Sequence, residues 1–390
     1  MYAVTGRKVH VDCLREFLPN IVASLMLCLL AGCGRPTTQA GTDKAFHEAA
    51  GQNAPVGFAM AREGLCSRID GVLAHARDAR LLNASVHGAW QVVHGILAFG
   101  PEFPLAHNGS VSSAMDYLLD DGTLKGWALR RGDTGLFAVV EEGSTTGQGH
   151  PDQWLGYLSQ CGLTGIPLDT KLVVAGKHYT VNDLLTQAQA DIKPGQEATW
   201  TLMALSAYLP PDTKWQARDG STWTTERVVA MEAAADISTS ACGGAHRLYG
   251  LVSALNRHIA ASATDTTRER KTSTQLSGGW AAADDTIESS IERARRFQQA
   301  DGSFSIHSFD RPGTSADTFA KLSTTGHIFE VLVAWLDDER LGEPWVQRAA
   351  ERLVTYLEQT ADLDVECGAL YHASHGLLLF RERMCRSLND

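Results

Sequence analysis

The sequence predicts an all-α fold, an (α/α)6 toroid in which six helix pairs form an inner and an outer ring. Six apolar segments, each opened by small or polar residues, read as buried helices: 87–99, 149–160, 197–209, 242–255, 324–336 and 367–380. Apolar residues fall on most sides of each, as helices packed all round require. A more amphipathic segment precedes each one, at 61–80, 110–120, 180–191, 223–236, 284–300 and 344–359. The loops carry near-copies: Gln216-Ala217-Arg218-Asp219-Gly220-Ser221 returns as Gln299-Ala300-Asp301-Gly302-Ser303 with one residue fewer. Alternating buried and amphipathic helices bury most apolar surface as two concentric rings. An open helical solenoid is the alternative.

The first pair ends in a helix opened by His87-Gly88, and the second in one opened by Gly149-His150-Pro151-Asp152. The third pair starts at Thr180-Val181-Asn182-Asp183, whose polar caps precede an apolar period, and its buried helix opens at Glu197. Thr224-Thr225-Glu226 starts the fourth pair, with Cys242-Gly243-Gly244 opening its buried helix. In the fifth, Asp285-Thr286-Ile287-Glu288 has capping-box spacing with Asp in place of Ser or Thr. The sixth ends in the helix opened by Cys367-Gly368. Each Asp-Gly pair predicts a tight turn, because Gly accepts positive φ. Parallel inner helices would bring their free N–H groups to one rim.

Ahead of this domain, expected over 59–390, the chain reads as an export signal and a tether. Arg7, Lys8 and Arg15 precede the apolar run Ile21–Leu30, which is too short to span a bilayer. The run ends in Leu30-Ala31-Gly32-Cys33, the pattern a lipoprotein signal peptidase cuts. The expectation is a signal peptide over 1–32, acylation of Cys33, and a small-residue tether over 33–58. An ordinary secretory cleavage near Ala31 is the alternative. Acyl chains contribute about 0.8 kcal/mol per buried CH2, so the lipid would anchor the chain to a membrane of the bacterial envelope. Gly34 favours the outer membrane over the inner.

The net charge of −11, with no basic stripe, excludes a nucleic-acid partner. No CxxC pair occurs, which excludes zinc fingers and thioredoxin chemistry at the motif level. Five cysteines follow Cys33, an odd number, so at least one thiol stays out of a disulfide. A monomer is expected.

The segment Gln298-Gln299-Ala300-Asp301-Gly302-Ser303-Phe304 and the six-pair layout resemble the terpenoid cyclases and protein prenyltransferases. The layout covers about residues 60–385, and the resemblance implies their helical toroid. Tyr371-His372 resembles the segment that carries the zinc-binding histidine of prenyltransferase β subunits. One buried helix earlier that family has Asp-Gly-Cys, where this chain has Thr325-Gly326-His327. Ala282-Ala283-Asp284-Asp285 lacks the first Asp of the cyclases' Asp-x-Asp-Asp. Asp284–Glu288 fits a magnesium-binding DDxxE pattern superficially and reads better as a helix cap. The resemblance implies a fold and transfers no activity.

The histidines carry the chemistry. His87, His150, His246, His327, His372 and His375 fall in the first turns of the expected inner helices. Neutral imidazole, favoured near a helix N-terminus, binds zinc or acts as a general base. His327, His372, either His375 or His246, and Cys242 or Cys367 form a candidate zinc set. Without metal, Glu197 and Asp152 could join His150 or His246 as acid and base. His87, His150, Trp154 and Trp200 are candidate ligand-binding residues, with capping or core packing as the simpler account of each. His246, His327, His372, His375 and Glu197 are the candidate catalytic residues. The first function expected is a binding or scaffold role, with the rim holding a peptide, glycan or lipid. The alternative is an enzyme acting on envelope or imported polymers, either zinc-dependent or a His/Glu acid–base hydrolase, lyase or epimerase.

Overall fold

The computed structural model describes residues 56–161, 165–262 and 276–385. The chain divides into two units, residues 1–64 and residues 65–390. Of the first, only the opening of a helix falls among the described residues. The export signal expected over 1–32, Cys33, and the tether expected over 33–58 as far as residue 55 lie outside them. Among the described residues no helix is long and apolar enough to cross a membrane. The membrane anchoring expected of this chain is by lipid on Cys33, which calls for no span and lies outside the described residues.

Thirteen helices and nine strands follow one another among the described residues. They are α1 (Val56–Ala74), β1 (Leu82–Asn83), α2 (Ala89–Phe99), β2 (Pro104–His107), β3 (Ser110–Ser113) and α3 (Ala114–Leu119). Next come β4 (Leu129–Arg131), β5 (Leu136–Ala138), α4 (Gln153–Leu158), β6 (Lys171–Val174), β7 (Lys177–Thr180), α5 (Val181–Asp191) and α6 (Thr199–Tyr208). Then follow β8 (Lys214–Gln216), β9 (Thr222–Thr224), α7 (Thr225–Ala233), α8 (Ala245–Ser262) and α9 (Gly278–Phe297). The last are α10 (Thr318–Trp335), α11 (Asp338–Leu341), α12 (Pro344–Gln359) and α13 (Cys367–Met384).

The strands overturn the expected all-α fold. They form four small sheets: β1-β2-β3, β4-β5, β6-β7 and β8-β9. The fold is mixed α/β, not an all-α (α/α)6 toroid, and the resemblance to terpenoid cyclases and prenyltransferases falls with that expectation. The cause lies in the links. Asn108 and Gly109 have φ of 48° and 77°, and Ala175 and Gly176 have φ of 52° and 71°. Two left-handed residues in succession close a tight hairpin whose twist matches its strands. Hence β2 pairs with β3, and β6 with β7. The third hairpin, β8-β9, turns at Asp219-Gly220, with Gly220 at φ 80°.

Each of these hairpins runs straight into a helix. Ser113 Oγ accepts from Asp116 N at 3.0 Å to start α3, and Thr224 Oγ1 accepts from Arg227 N at 3.1 Å to start α7. At α5 the Asp183 carboxylate accepts from Thr180 N at 2.7 Å. The unit hairpin–cap–helix thus occurs three times. The segment expected as one helix over 110–120 spends its first four residues as β3.

The apolar helices supply the core. Contacts run α2–α4, α4–α6, α6–α8, α8–α10 and α10–α13, and α13 returns to α2. Trp200, Leu205, Leu248, Phe329 and Tyr371 are fully buried among them. The closest approach of α10 and α13 depends on glycine. A Cβ on Gly326 would lie 3.0 Å from the Ala373 backbone, and one on Gly376 would lie 3.2 Å from Glu330 N. Cys66 on α1 and Cys385 beyond α13 form a disulfide across 319 residues.

Candidate metal centre

Cys242 sits just ahead of α8, where the backbone leaves helical geometry. Cys242, Gly243 and Gly244 have φ of 51°, 63° and 94° in succession. Glycine is required at the last two positions for a second reason. A Cβ on Gly243 would collide with Ser308, and one on Gly244 with Ile237. The left-handed run leaves Cys242 exposed, at the wall of an open cleft of about 450 Å³. Gly243, His307, Ser308, Ser323 and His327 also line that cleft.

His246, in the first turn of α8, is 5% exposed, and His327 and His372, on α10 and α13, are 4% and 2% exposed. Their ring centroids are 5.0 Å apart for His246 and His327, 5.0 Å for His246 and His372, and 4.1 Å for His327 and His372. Cys242 Sγ and one ring nitrogen from each of His246 and His327 lie within 4.8 Å of one another. Zinc bonded to sulfur at ~2.3 Å and nitrogen at ~2.0 Å brings such atoms to roughly 3.3–3.6 Å. Side-chain shifts of about 1 Å close the difference.

The surroundings orient these rings. His327 Nδ1 lies 2.7 Å from Ser323 O, one helical turn back, so an N–H points there and Nε2 is the nitrogen turned away from the helix backbone. His372 Nδ1 lies 2.8 Å from one oxygen of Glu330, and His375 Nδ1 lies 2.5 Å from the other. His246 Nε2 faces His372 Nε2 at 3.2 Å, while His246 Nδ1 is buried with no hydrogen-bond partner. Metal-ligating histidines typically give their second nitrogen to a carbonyl or carboxylate, which fixes ring and tautomer.

The electrostatics divide the cluster in two. The residue is exposed but its sulfur is crowded by protein, which alone would raise the thiol; the nearby His327 and His246 outweigh this and hold the thiol well below its ordinary value. Burial alone would lower His327, yet the Cys242 sulfur lifts it to about 9. Without metal the two groups thus favour each other's charged forms, and a metal would take the place of the proton shared on the His327 Nε2 side. Deeper in, burial pushes His372 down to about 4, only partly opposed by Glu330. Burial would raise the Glu330 carboxyl, but His372 and His375 hold it well below the usual carboxylate range. At neutral pH Glu330 is ionised and His372 neutral, joined by a charge-assisted N–H···O bond.

The other candidates divide by place. Glu197 accepts from His150 Nδ1 at 2.8 Å, and the His150 ring stacks on Trp200 at 4.4 Å. Burial would raise the Glu197 carboxyl, but the His150 hydrogen bond holds it below its ordinary value. Trp200 in turn lies 5.0 Å from the His246 ring, so the His150–Glu197 pair borders the histidine cluster. His375 is turned to Glu330 and does not join the Cys-His-His set. His87 bonds within its own loop, its Nδ1 accepting from Asn83 N at 2.9 Å. Trp154 is core, 1% exposed, packed against Trp127 and Tyr157.

Two participants escaped sequence reasoning. Glu330 is the link between His372 and His375. Its signal was present: it is the one carboxylate inside the apolar run Ile328–Trp335, and a fully buried lone acid is rare unless paired. His94 adds a further ring, 5.2 Å from His372, with Nδ1 on Trp90 O at 2.6 Å and Nε2 near Tyr157 OH at 3.3 Å.

No protein-family model matches the chain, and no curated protein or solved structure matches it at a significant level. The buried Cys-His-His cluster and the aromatic rings beside it form a metal- or ligand-binding surface on their own geometry.

Proposed function

We propose that Cys242, His246 and His327 hold a zinc ion and that the protein is a zinc-dependent enzyme, hydrolytic in type, whose substrate enters the cleft beside Cys242. The observation that carries this reading is the convergence of one sulfur and two imidazole nitrogens within 4.8 Å at the wall of an open cleft. Three protein ligands with a position left open is the pattern of catalytic rather than structural zinc. The ion would supply Lewis acidity toward a carbonyl or phosphoryl oxygen. The chain's own residues would supply the rest. Ser323 O and Glu330 orient rings, and the His150–Glu197 pair beyond Trp200 can carry a proton. Of the two functions expected from the sequence, this arrangement favours the enzyme over the scaffold. A passive ligand pocket has no need of converging bare nitrogens beside a thiolate.

The Cys66–Cys385 disulfide supports residence in an oxidising compartment, the compartment expected from the N-terminal signal.

The purified protein, stripped of metal and titrated with zinc, is expected to bind one ion, and Cys242→Ser or His327→Ala to weaken binding at least 100-fold. Failure of the wild-type chain to take up one zinc overturns the reading. One observation favours a second reading, a metal-free thiol nucleophile: Cys242 is exposed, on a left-handed turn, with His327 beside it. Alkylation separates the two. Zinc is expected to protect Cys242 from iodoacetamide, whereas a free nucleophile reacts equally fast with zinc present.

A further inference from the structure

Four of the buried histidines have one nitrogen assigned by a neighbour. Nδ1 of His94 and of His327 lies against the carbonyl four residues back, at 2.6 Å and 2.7 Å. Nδ1 of His372 and of His375 lies against the Glu330 carboxylate. Each therefore turns an Nδ1–H to that neighbour, which leaves Nε2 as the nitrogen free to take a metal or another partner. His246 breaks the pattern. The residue four back is Cys242, where the chain has turned left-handed, so no helical carbonyl is placed to receive its Nδ1.

The proton positions then follow from one another. Glu330, ionised, accepts from His372 Nδ1, which leaves His372 Nε2 as an acceptor. That acceptor lies 3.2 Å from His246 Nε2. Two bare nitrogens repel at this distance, so His246 Nε2 carries the hydrogen and donates it. His246 Nδ1 is then bare, and it is the buried nitrogen with no partner. A doubly protonated His246 would instead bury an unpaired N–H beside two other imidazoles. An orphaned buried acceptor is unfavourable, and a cation held with Cys242 would give it a partner.

We infer that His246 ligates the metal through Nδ1, whereas His327 does so through Nε2, and that His372 and Glu330 are positioning residues, not ligands. The inference rests on the metal-site reading above and deepens it. His246 Nε2–H to His372, and His372 Nδ1–H to Glu330, make one directed chain of donors that ends on a buried carboxylate. The chain fixes the tautomer of His246 and makes its ligating nitrogen more basic. This assigns a role to His372, which the sequence offered as a ligand, and to Glu330. His375 binds the second Glu330 oxygen and keeps the carboxylate aimed.

Nitrogen-15 NMR of histidine-labelled, zinc-loaded protein reads the tautomers directly. His246 is expected with its proton on Nε2 and a zinc-shifted Nδ1, and His327 with the opposite assignment. Glu330→Gln is expected to keep the fold, by circular dichroism, and one zinc site, but to bind zinc 10–100-fold more weakly, the usual effect of removing such a partner. Zinc bound with the His246 proton on Nδ1, or a direct zinc bond to His372, overturns this inference and leaves the metal site standing. A chain that takes up no zinc overturns both. If Glu330→Gln does not fold, the wild-type spectrum alone decides.

Discussion

Replacing Gly326 by Ala tests whether the approach of α10 to α13 is set by contact with no slack. In a helix interior Ala is favoured over Gly by about 0.8–1.0 kcal/mol, so the substitution is stabilising wherever space permits. At Gly326 space does not permit. The new methyl would lie 3.0 Å from Cα, Cβ and N of Ala373, and two of those three atoms are backbone that cannot rotate away. The helices must separate by some tenths of an ångström, and overpacking of this kind costs about 1–3 kcal/mol. The net expectation is a loss of up to about 2 kcal/mol. Gly71 on α1 is the internal reference, because a Cβ there meets nothing within 4 Å. Gly71→Ala should gain about 1 kcal/mol, so the difference between the two variants isolates the contact term at about 1–3 kcal/mol. Urea unfolding of both variants at equal m-value measures it. The separation also strains Glu330, one turn along α10, against His372, the neighbour of Ala373. Gly326→Ala should therefore weaken zinc binding, which Gly71→Ala should leave alone. Equal stabilisation by both substitutions would refute the reasoning.

Asp152 provides a pH test away from the metal cluster. Burial raises its carboxyl from 3.8 to about 6, only partly opposed by the Thr201 hydroxyl at 2.6 Å. The sign follows: the charged form is disfavoured on folding, so stability is full below about pH 4 and is lost as pH rises through about 6. A shift of about two units corresponds to roughly 3 kcal/mol, and access of water to this half-buried side chain lowers that to about 1–3 kcal/mol. Asp152→Asn, which tolerates the φ of 54° there, should gain this amount at pH 7.5 and little at pH 4. A gain that ignores pH would show that burial of the charge is not the cause. Breaking the Cys66–Cys385 bond should also cost stability. The chain-entropy account gives about 6 kcal/mol for a loop of this length, and thermal unfolding of Cys66→Ser/Cys385→Ser, unchanged from wild type, would contradict it.

The helices were legible in the sequence because their signals are long. Apolar runs at 87–99, 197–209 and 367–380 fold as α2, α6 and α13, and Thr180 and Thr224 do start helices. The strands were not legible, because none exceeds four residues and period-two alternation needs more than that to show. Asn108-Gly109 was the available hairpin signal. The apolar period over 110–120, which follows it directly, masks it. Within the site, helix position put His246, His327 and His372 together, and those rings do meet. Position along a helix says nothing of rotation about its axis, so it could not separate His375, turned to Glu330, from His246, turned to Cys242. Nor could it show that His87 bonds its own loop.

The Glu330 cluster also bears on what the fold needs. An ionised carboxylate in the centre of α10 loses its hydration, a cost of several kcal/mol that two N–H donors only offset. Replacing such a buried set by apolar side chains of similar volume is often neutral or stabilising, and Phe329, Leu332 and Leu377 on the same two helices are already buried core. Stability alone therefore gives no reason for Glu330, His372 and His375 to occupy these positions. Orientation gives one. The three together hold a donor chain that begins beside Cys242, where the backbone takes a left-handed turn that only Gly243 and Gly244 allow. The strained turn sets where the sulfur stands, and the buried carboxylate, through His372, bears on which nitrogen of His246 holds the proton.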